Sequence, residues 1–156
     1  MGVGRPWENE RGQVRRAAAA SRGESVITRV LIIDDDAAFA EALHTFLGTI
    51  PETEVVGVAH GGTEAVELAL ERRPDVLLVD ALMPDVDGFE VIRRVRAQGS
   101  TAKAIVMSGG EPVEISQEAL AAKADAYVAK LAIYDLIAGV IRKVTESDAT
   151  PLPVNF

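Results

Sequence analysis

The chain has 156 residues, 48% of them hydrophobic, and a formal net charge of −8. Those values suit one domain with an ordinary core, and no run of about 18 apolar residues offers a membrane span. The absence of cysteine excludes a disulfide framework and a thiolate metal site, and a cytoplasmic location is expected.

The charge is unevenly spread. Residues 1–28 hold five Arg and three Glu, net +2; the remaining 11 Lys/Arg and 21 Asp/Glu make 29–156 net −10. An acidic body argues against direct binding to nucleic acid, where affinity comes mainly from neutralising phosphates. Residues 1–28 show no hydrophobic period and are read as a disordered extension, with a helical turn around Gln13–Ala20. Ala17–Ala20 is too short an apolar stretch for a secretory signal. Pro6 stands where a myristoylation signal after Gly2 needs Ser or Thr.

From Arg29 onward, short β-branched runs alternate with amphipathic stretches, as in repeated βα units. The first strand is expected over Arg29–Ile33. The first helix follows over about Asp36–Gly48, with Phe39, Leu43, Phe46 and Leu47 facing inward. The second strand is Glu54–Ala59, and the second helix Gly62–Arg73, capped by Thr63, with Ala65, Val66, Ala69 and Leu70 inside. Pro74 ends it. The third strand is Asp75–Val79, and the third helix Phe89–Ala97, capped by Asp87 and stopped by Gly99. The fourth strand is Lys103–Met107, with a weakly patterned fourth helix over Pro112–Ala122. The fifth strand is Ala126–Ala129, and the fifth helix Ala132–Glu146, burying Leu136, Ile137, Val140, Ile141 and Val144. Residues 147–156 carry two prolines and read as a tail; with the domain spanning 29–147, output is expected through a partner in trans.

The first and third strands are apolar throughout, so they belong in the middle of the sheet. Right-handed crossovers then give an α/β, doubly wound, five-stranded parallel sheet of order 2-1-3-4-5 with helices on both faces. Ligands of such sheets bind beyond the strand carboxyl ends. Those ends carry Asp34-Asp35-Asp36, Asp80, Ser108 and Lys130.

Taken singly, each has an ordinary structural explanation. Three aspartates after a strand make a turn and a helix cap, and Asp36 is read as that cap. A lone Asp80 leaving a buried strand needs a partner, and a lysine in Lys130's position is rarely buried unpaired. Together they describe a cleft for a divalent cation and a phosphoryl group. Clustered carboxylates stay ionised at low cost only beside a cation. Mg²⁺ takes hard oxygens and pairs one or two carboxylates with phosphate oxygens. Asp80 is then a carboxylate nucleophile, Lys130 neutralises the transferring group, and Ser108 donates to a phosphoryl oxygen.

The stretches VLIIDDD, PDVLLVDALMPDVDGFEVIRRVR, AIVMSGG and ADAYVAK resemble, in spacing and order, the response-regulator receiver domains of two-component signalling. The resemblance covers about residues 29–147 and implies a flavodoxin-like fold. By it, Asp34 and Asp35 hold Mg²⁺, with Asp80 and the backbone carbonyl of Leu82 as further ligands. Asp80 is the phosphoacceptor, Ser108 the switch hydroxyl, Tyr127 the switch aromatic and Lys130 the site lysine. The implied partners are a histidine kinase or phosphotransfer protein upstream and a protein downstream. A homodimer through the surface of the fourth helix, fifth strand and fifth helix is also implied.

The chain departs from the family pattern in places. Leu131 follows the lysine where proline is usual, in a cis peptide. A cis bond before another residue costs about 2.5–4 kcal/mol, so that loop is expected to differ. Lys123 replaces a usual helix-ending glycine, Ser108 replaces threonine, and Gly109-Gly110 loosen the mouth of the pocket. His44 and His60 are read as surface residues, and Asp85 and Asp87 as turn and cap. Two other readings compete. A haloacid-dehalogenase-like phosphatase also has an Asp two residues after its nucleophile, as Asp36 follows Asp34, but Ala38 fails the continuation of that motif. A receiver fold kept as an unphosphorylated binding scaffold is the other.

Overall fold

A computed structural model describes residues 26–109 and 121–146, together with 18, 21–23 and 154–155. The strands are β1 (Thr28–Ile33), β2 (Thr53–Ala59), β3 (Val76–Asp80), β4 (Lys103–Ser108), β5 (Ala126–Ala129) and the short β6 (Val154–Asn155). The helices are α1 (Ala37–Leu47), α2 (Gly62–Arg72), α3 (Gly88–Ala97) and α4 (Ile133–Glu146), the last being the helix expected fifth. The helix expected over 112–122 lies almost wholly outside the described residues, as does most of the extension 1–28.

All strand pairs are parallel, in the order β2-β1-β3-β4-β5-β6. The first five follow the expected 2-1-3-4-5. The addition is β6: Val154 and Asn155, read as tail, pair with Ala126 and Tyr127 at the β5 edge.

Alternation along the central strands builds two cores. Val30, Ile32, Val76, Leu78, Ile105 and Met107 point to one face, where they meet Leu43 and Leu47 of α1 and Ile137, Val140 and Val144 of α4. Leu31, Ile33, Leu77, Val79, Val106 and Tyr127 point to the other, against Ala65 and Ala69 of α2 and Phe89, Ile92 and Val95 of α3. Burial on both faces explains why β1 and β3 read as continuous apolar runs. Edge strand β2 is only half-buried over most of its length.

The helix ends correct two expectations. Thr63 does not cap α2. Gly61 occupies the N-cap without a side chain to offer, and the carboxylate of Asp85 takes the Gly62 and Thr63 N–H groups instead. Leu70 faces outward, and Leu68, two residues earlier, packs on the core in its place. Asp87 does cap α3, its Oδ1 accepting from Glu90 N at 2.8 Å, and Gly99 ends that segment with φ 91°. No peptide among the described residues is cis, and Lys130–Ala132 forms a 3₁₀ turn. The peptide between Lys130 and Leu131 is therefore trans.

Lys123 sits at φ 62°, in the left-handed region, where a side chain costs about 1–2 kcal/mol. Gly88 is the reverse case: a Cβ there would lie 2.1 Å from Asp80 O. Lys123→Gly should therefore raise the stability measured by urea unfolding by about 1 kcal/mol. Gly88→Ala should lower it by about 2 kcal/mol or more. Equal stability of the two variants would mean that these backbone conformations are not enforced.

Candidate functional site

The strand order brings Asp34 and Asp80 side by side, because β1 pairs with β3. Asp34 N donates to Ala59 O at 2.9 Å, extending the ladder to β2 by one residue and drawing the Asp34 side chain completely below the surface. Its Oδ1 accepts from Asp36 N at 2.9 Å. Asp36 itself turns away into α1 as the N-cap, accepting from Phe39 N at 3.1 Å. That leaves Asp35 exposed at the mouth. Asp80 is the last residue of β3 and is buried; its Oδ1 accepts from Leu82 N at 3.3 Å. Carboxylate oxygens of Asp34, Asp35 and Asp80 all lie within 4.8 Å of one another.

Lys130, at the end of β5, supplies the countercharge. Its Nζ is 2.8 Å from Asp34 Oδ2 and 3.5 Å from Asp80 Oδ2. The ammonium also lies over the ring of Phe39, 4.6 Å from the centroid, a favourable cation–π placement. Phe39, expected to face inward, packs half-buried against the core and also meets the lysine.

Three acids against one lysine leave an excess of negative charge. Burial and the neighbouring Asp34 charge push the Asp80 carboxyl from its ordinary 3.8 up to about 7, although Lys130 and the Leu82 N–H pull the other way. Burial would lower the Lys130 pKa, but the Asp34 and Asp80 carboxylates outweigh it and hold the ammonium above its ordinary value. Asp34 Oδ2 is buried, and the Lys130 ammonium 2.8 Å away is its partner. A buried, over-charged set of hard oxygens at this spacing fits a small divalent cation.

Ser108 ends β4 and is buried. Tyr127 is fully buried on β5, and its hydroxyl finds no hydrogen-bond partner among the described residues. Tyr127 pairs with Val106, two residues before Ser108, so the two side chains share one face of the sheet. Leu82, two residues past Asp80, is kept beside it by its N–H, while the residue as a whole is 71% exposed. His44 is exposed, as expected. His60 is exposed too, but its Nδ1 lies 3.1 Å from Asp34 O, a contact the sequence does not signal. Among the described residues, no helix is long and apolar enough to cross a membrane.

The raised Asp80 pKa has a consequence for stability. A protonated Asp80 favours the metal-free fold, so its contribution is fully present below about pH 4 and is lost as pH rises through about 7. In chelator, the protein should melt several degrees lower at pH 8 than at pH 5.5. Asp80→Asn should flatten that difference by raising the pH 8 value. A wild-type melting temperature that rises from pH 5.5 to 8 would contradict the electrostatic picture.

The sequence matches the family "Response regulator receiver domain" over residues 30–141. Response regulator MprA of Mycobacterium ulcerans is 38% identical over 111 residues, covering 70% of this chain and 47% of that protein. MprA of Mycobacterium tuberculosis (H37Rv) is 34% identical over 125 residues, covering 78% and 54%. The chain thus spans about half the length of these curated relatives. Among solved structures, the response regulator domain of Thermotoga maritima CheB aligns with a TM-score of 0.72 at 28% identity, over 78% of this chain and 98% of that one. The signal receiver domain of the putative response regulator NarL from Mycobacterium tuberculosis gives 0.74 at 28% identity, again over 78% and 98%. With the sheet order and the strand-end acids and lysine in agreement, the chain belongs to the response regulator receiver domains of two-component signalling.

Proposed function

We propose that this domain accepts a phosphoryl group on Asp80 from a phosphohistidine of a histidine kinase or phosphotransfer protein, in the presence of Mg²⁺. The observation that carries the reading is the cluster of buried Asp34 and Asp80 with Asp35 at the rim, faced by Lys130. Mg²⁺ would be held by Asp34, Asp35, Asp80 and the Leu82 carbonyl, and would supply charge neutralisation at the phosphoryl oxygens. A carboxylate oxygen of Asp80 attacks phosphorus, the P–N bond breaks as the P–O bond forms, and the donor histidine leaves with the electron pair. Lys130 neutralises the transferring group, and Ser108 donates to one of its oxygens. Asp34 is a poor candidate for the nucleophile, since its carboxylate is wholly buried against Lys130. That weighs against the phosphatase alternative.

The phosphoryl group adds about −1.5 to −2 charges and three acceptor oxygens at the end of β3. A Ser108 drawn towards it changes the packing on the face it shares with Tyr127. Tyr127 then transmits the change to the surface around β5 and α4, where a protein partner or second copy would dock. The acidic body, net −10 over 29–156, favours protein over nucleic acid as that partner.

Acetyl phosphate with Mg²⁺ should place one hydroxylamine-sensitive acyl phosphate on Asp80, lost with chelator and in Asp80→Asn. Beryllofluoride should move amide resonances across 121–146 in the wild type but not in Ser108→Ala. Full labelling of Asp80→Asn, or modification mapped to Asp34, would reject the assignment. Shifts confined to the pocket would reject the switch and favour the scaffold reading.

A further inference from the structure

The loop between β3 and α3 leaves directly from Asp80 and carries Leu82. It is tied to a distant part of the chain by a contact the sequence conceals. Asp85 Oδ1 and Oδ2 accept from Gly62 N at 3.1 and 2.9 Å, and Oδ2 also takes Thr63 N at 3.4 Å. The N-terminus of α2, whose own cap residue Gly61 has no side chain, is thus satisfied from across the cleft. The fit is close. A Cβ on Gly62 would lie 2.4 Å from Val86 Cβ and 2.9 Å from Val86 O, and one on Gly61 would lie 3.1 Å from Asp85 Oδ2. The other end of the loop is fixed as well, with Gly88 N donating to Ala81 O at 3.0 Å. On the far side, His60 sits immediately before Gly61 and contacts the Asp34 carbonyl. The α2 N–H groups also draw the Asp85 carboxyl below its usual range, so it is ionised where the protein works.

We propose that Asp85 is a positioning residue for the cation site: by capping α2 from the β3–α3 loop, it holds Leu82 in place against Asp34 and Asp80. The inference rests on the Mg²⁺ reading above and extends it to a residue outside the acidic cluster. Between Ala81 and Gly88 the loop rests on the core through Met83 and Val86, and Leu82 N–H bonds Asp80, but Asp85 supplies the tie that joins it to α2.

The test is titration of the full chain with Mg²⁺ alone, followed by calorimetry. Groups that orient metal ligands from behind commonly change affinity by about 10–100-fold when removed. Asp85→Ala should weaken Mg²⁺ binding by about tenfold. Asp85→Asn, which keeps one acceptor oxygen and the fold, should weaken it by about threefold. Asp125→Ala is the control for losing a structural carboxylate: it removes the acceptor of Arg96 Nη2 and Ala104 N at the opposite end of the sheet, should lower the melting temperature, and should leave Mg²⁺ affinity unchanged. Wild-type affinity in folded Asp85→Ala overturns the proposal, as it does in Asp85→Asn should the alanine variant fail to fold. So does an equal loss in Asp125→Ala. If the wild type binds Mg²⁺ and the Asp85 variants match it, only the positioning role fails. If the wild type does not bind Mg²⁺, the reading of the whole site fails with it.

Discussion

The crowding of negative charge at the carboxyl ends of β1 and β3 is the constraint on which the rest of this structure depends. Asp34 is fully buried, Asp80 nearly so, and Asp35 stands at the rim, with oxygens of all three within 4.8 Å of one another. Such a cluster cannot ionise completely without help. Lys130 gives part of that help, reaching from the end of β5 past the ends of β4 and β3 to touch both buried acids. The aromatic ring of Phe39 flanks the ammonium. One positive charge is still too few, and the Asp80 carboxyl answers by holding its proton up to about pH 7. The domain is therefore built with an electrostatic debt that a divalent cation, or a proton, settles.

Much of the scaffold serves to keep that debt in one place. Parallel pairing of β1 with β3 sets the two buried acids beside each other, and two hydrophobic cores, one on each face, fix the strands. The loops are tied as firmly as the strands. Asp36 caps α1 and so turns away from the cluster. Leu82 N–H holds the Asp80 carboxylate, Gly88 permits α3 to start against the Asp80 carbonyl, and Asp85 joins the β3–α3 loop to α2. These ties enclose Asp80 on the β1 and α2 side. The side towards Ser108 and Tyr127 differs: there a buried tyrosine hydroxyl lacks a hydrogen-bond partner among the described residues, a costly arrangement that a change in packing can relieve.

Strand positions were legible because a doubly covered parallel sheet needs uninterrupted apolar runs, and Val30–Ile33 and Val76–Val79 are such runs. Their order followed from handedness and from which runs were apolar on both sides. The strand-end residues were legible because Asp80 and Lys130 break buried strands and have no separate structural reason to be there. Local capping was legible for Asp36 and Asp87, where donor and acceptor lie three residues apart. It failed at Thr63, because the partner of the α2 N-terminus is Asp85, 23 residues away. A contact between two loops leaves no period in a sequence. Phe39 and His60 were missed for the same reason: each looks like an ordinary helix or surface residue until the fold brings Lys130 or the Asp34 carbonyl to it. Strand β6 rests on backbone pairing of two residues at the sheet edge, which composition does not announce.

The central claim is that the metal-free cluster carries a proton at neutral pH and that a cation takes its place. Calorimetric titration with Mg²⁺ in buffers of different ionisation enthalpy measures the protons released per ion bound. A carboxyl with a pKa of about 7 predicts release of about half a proton per Mg²⁺ at pH 7, falling to none at pH 9. Binding with no proton release at pH 7, or with proton uptake, would contradict the account.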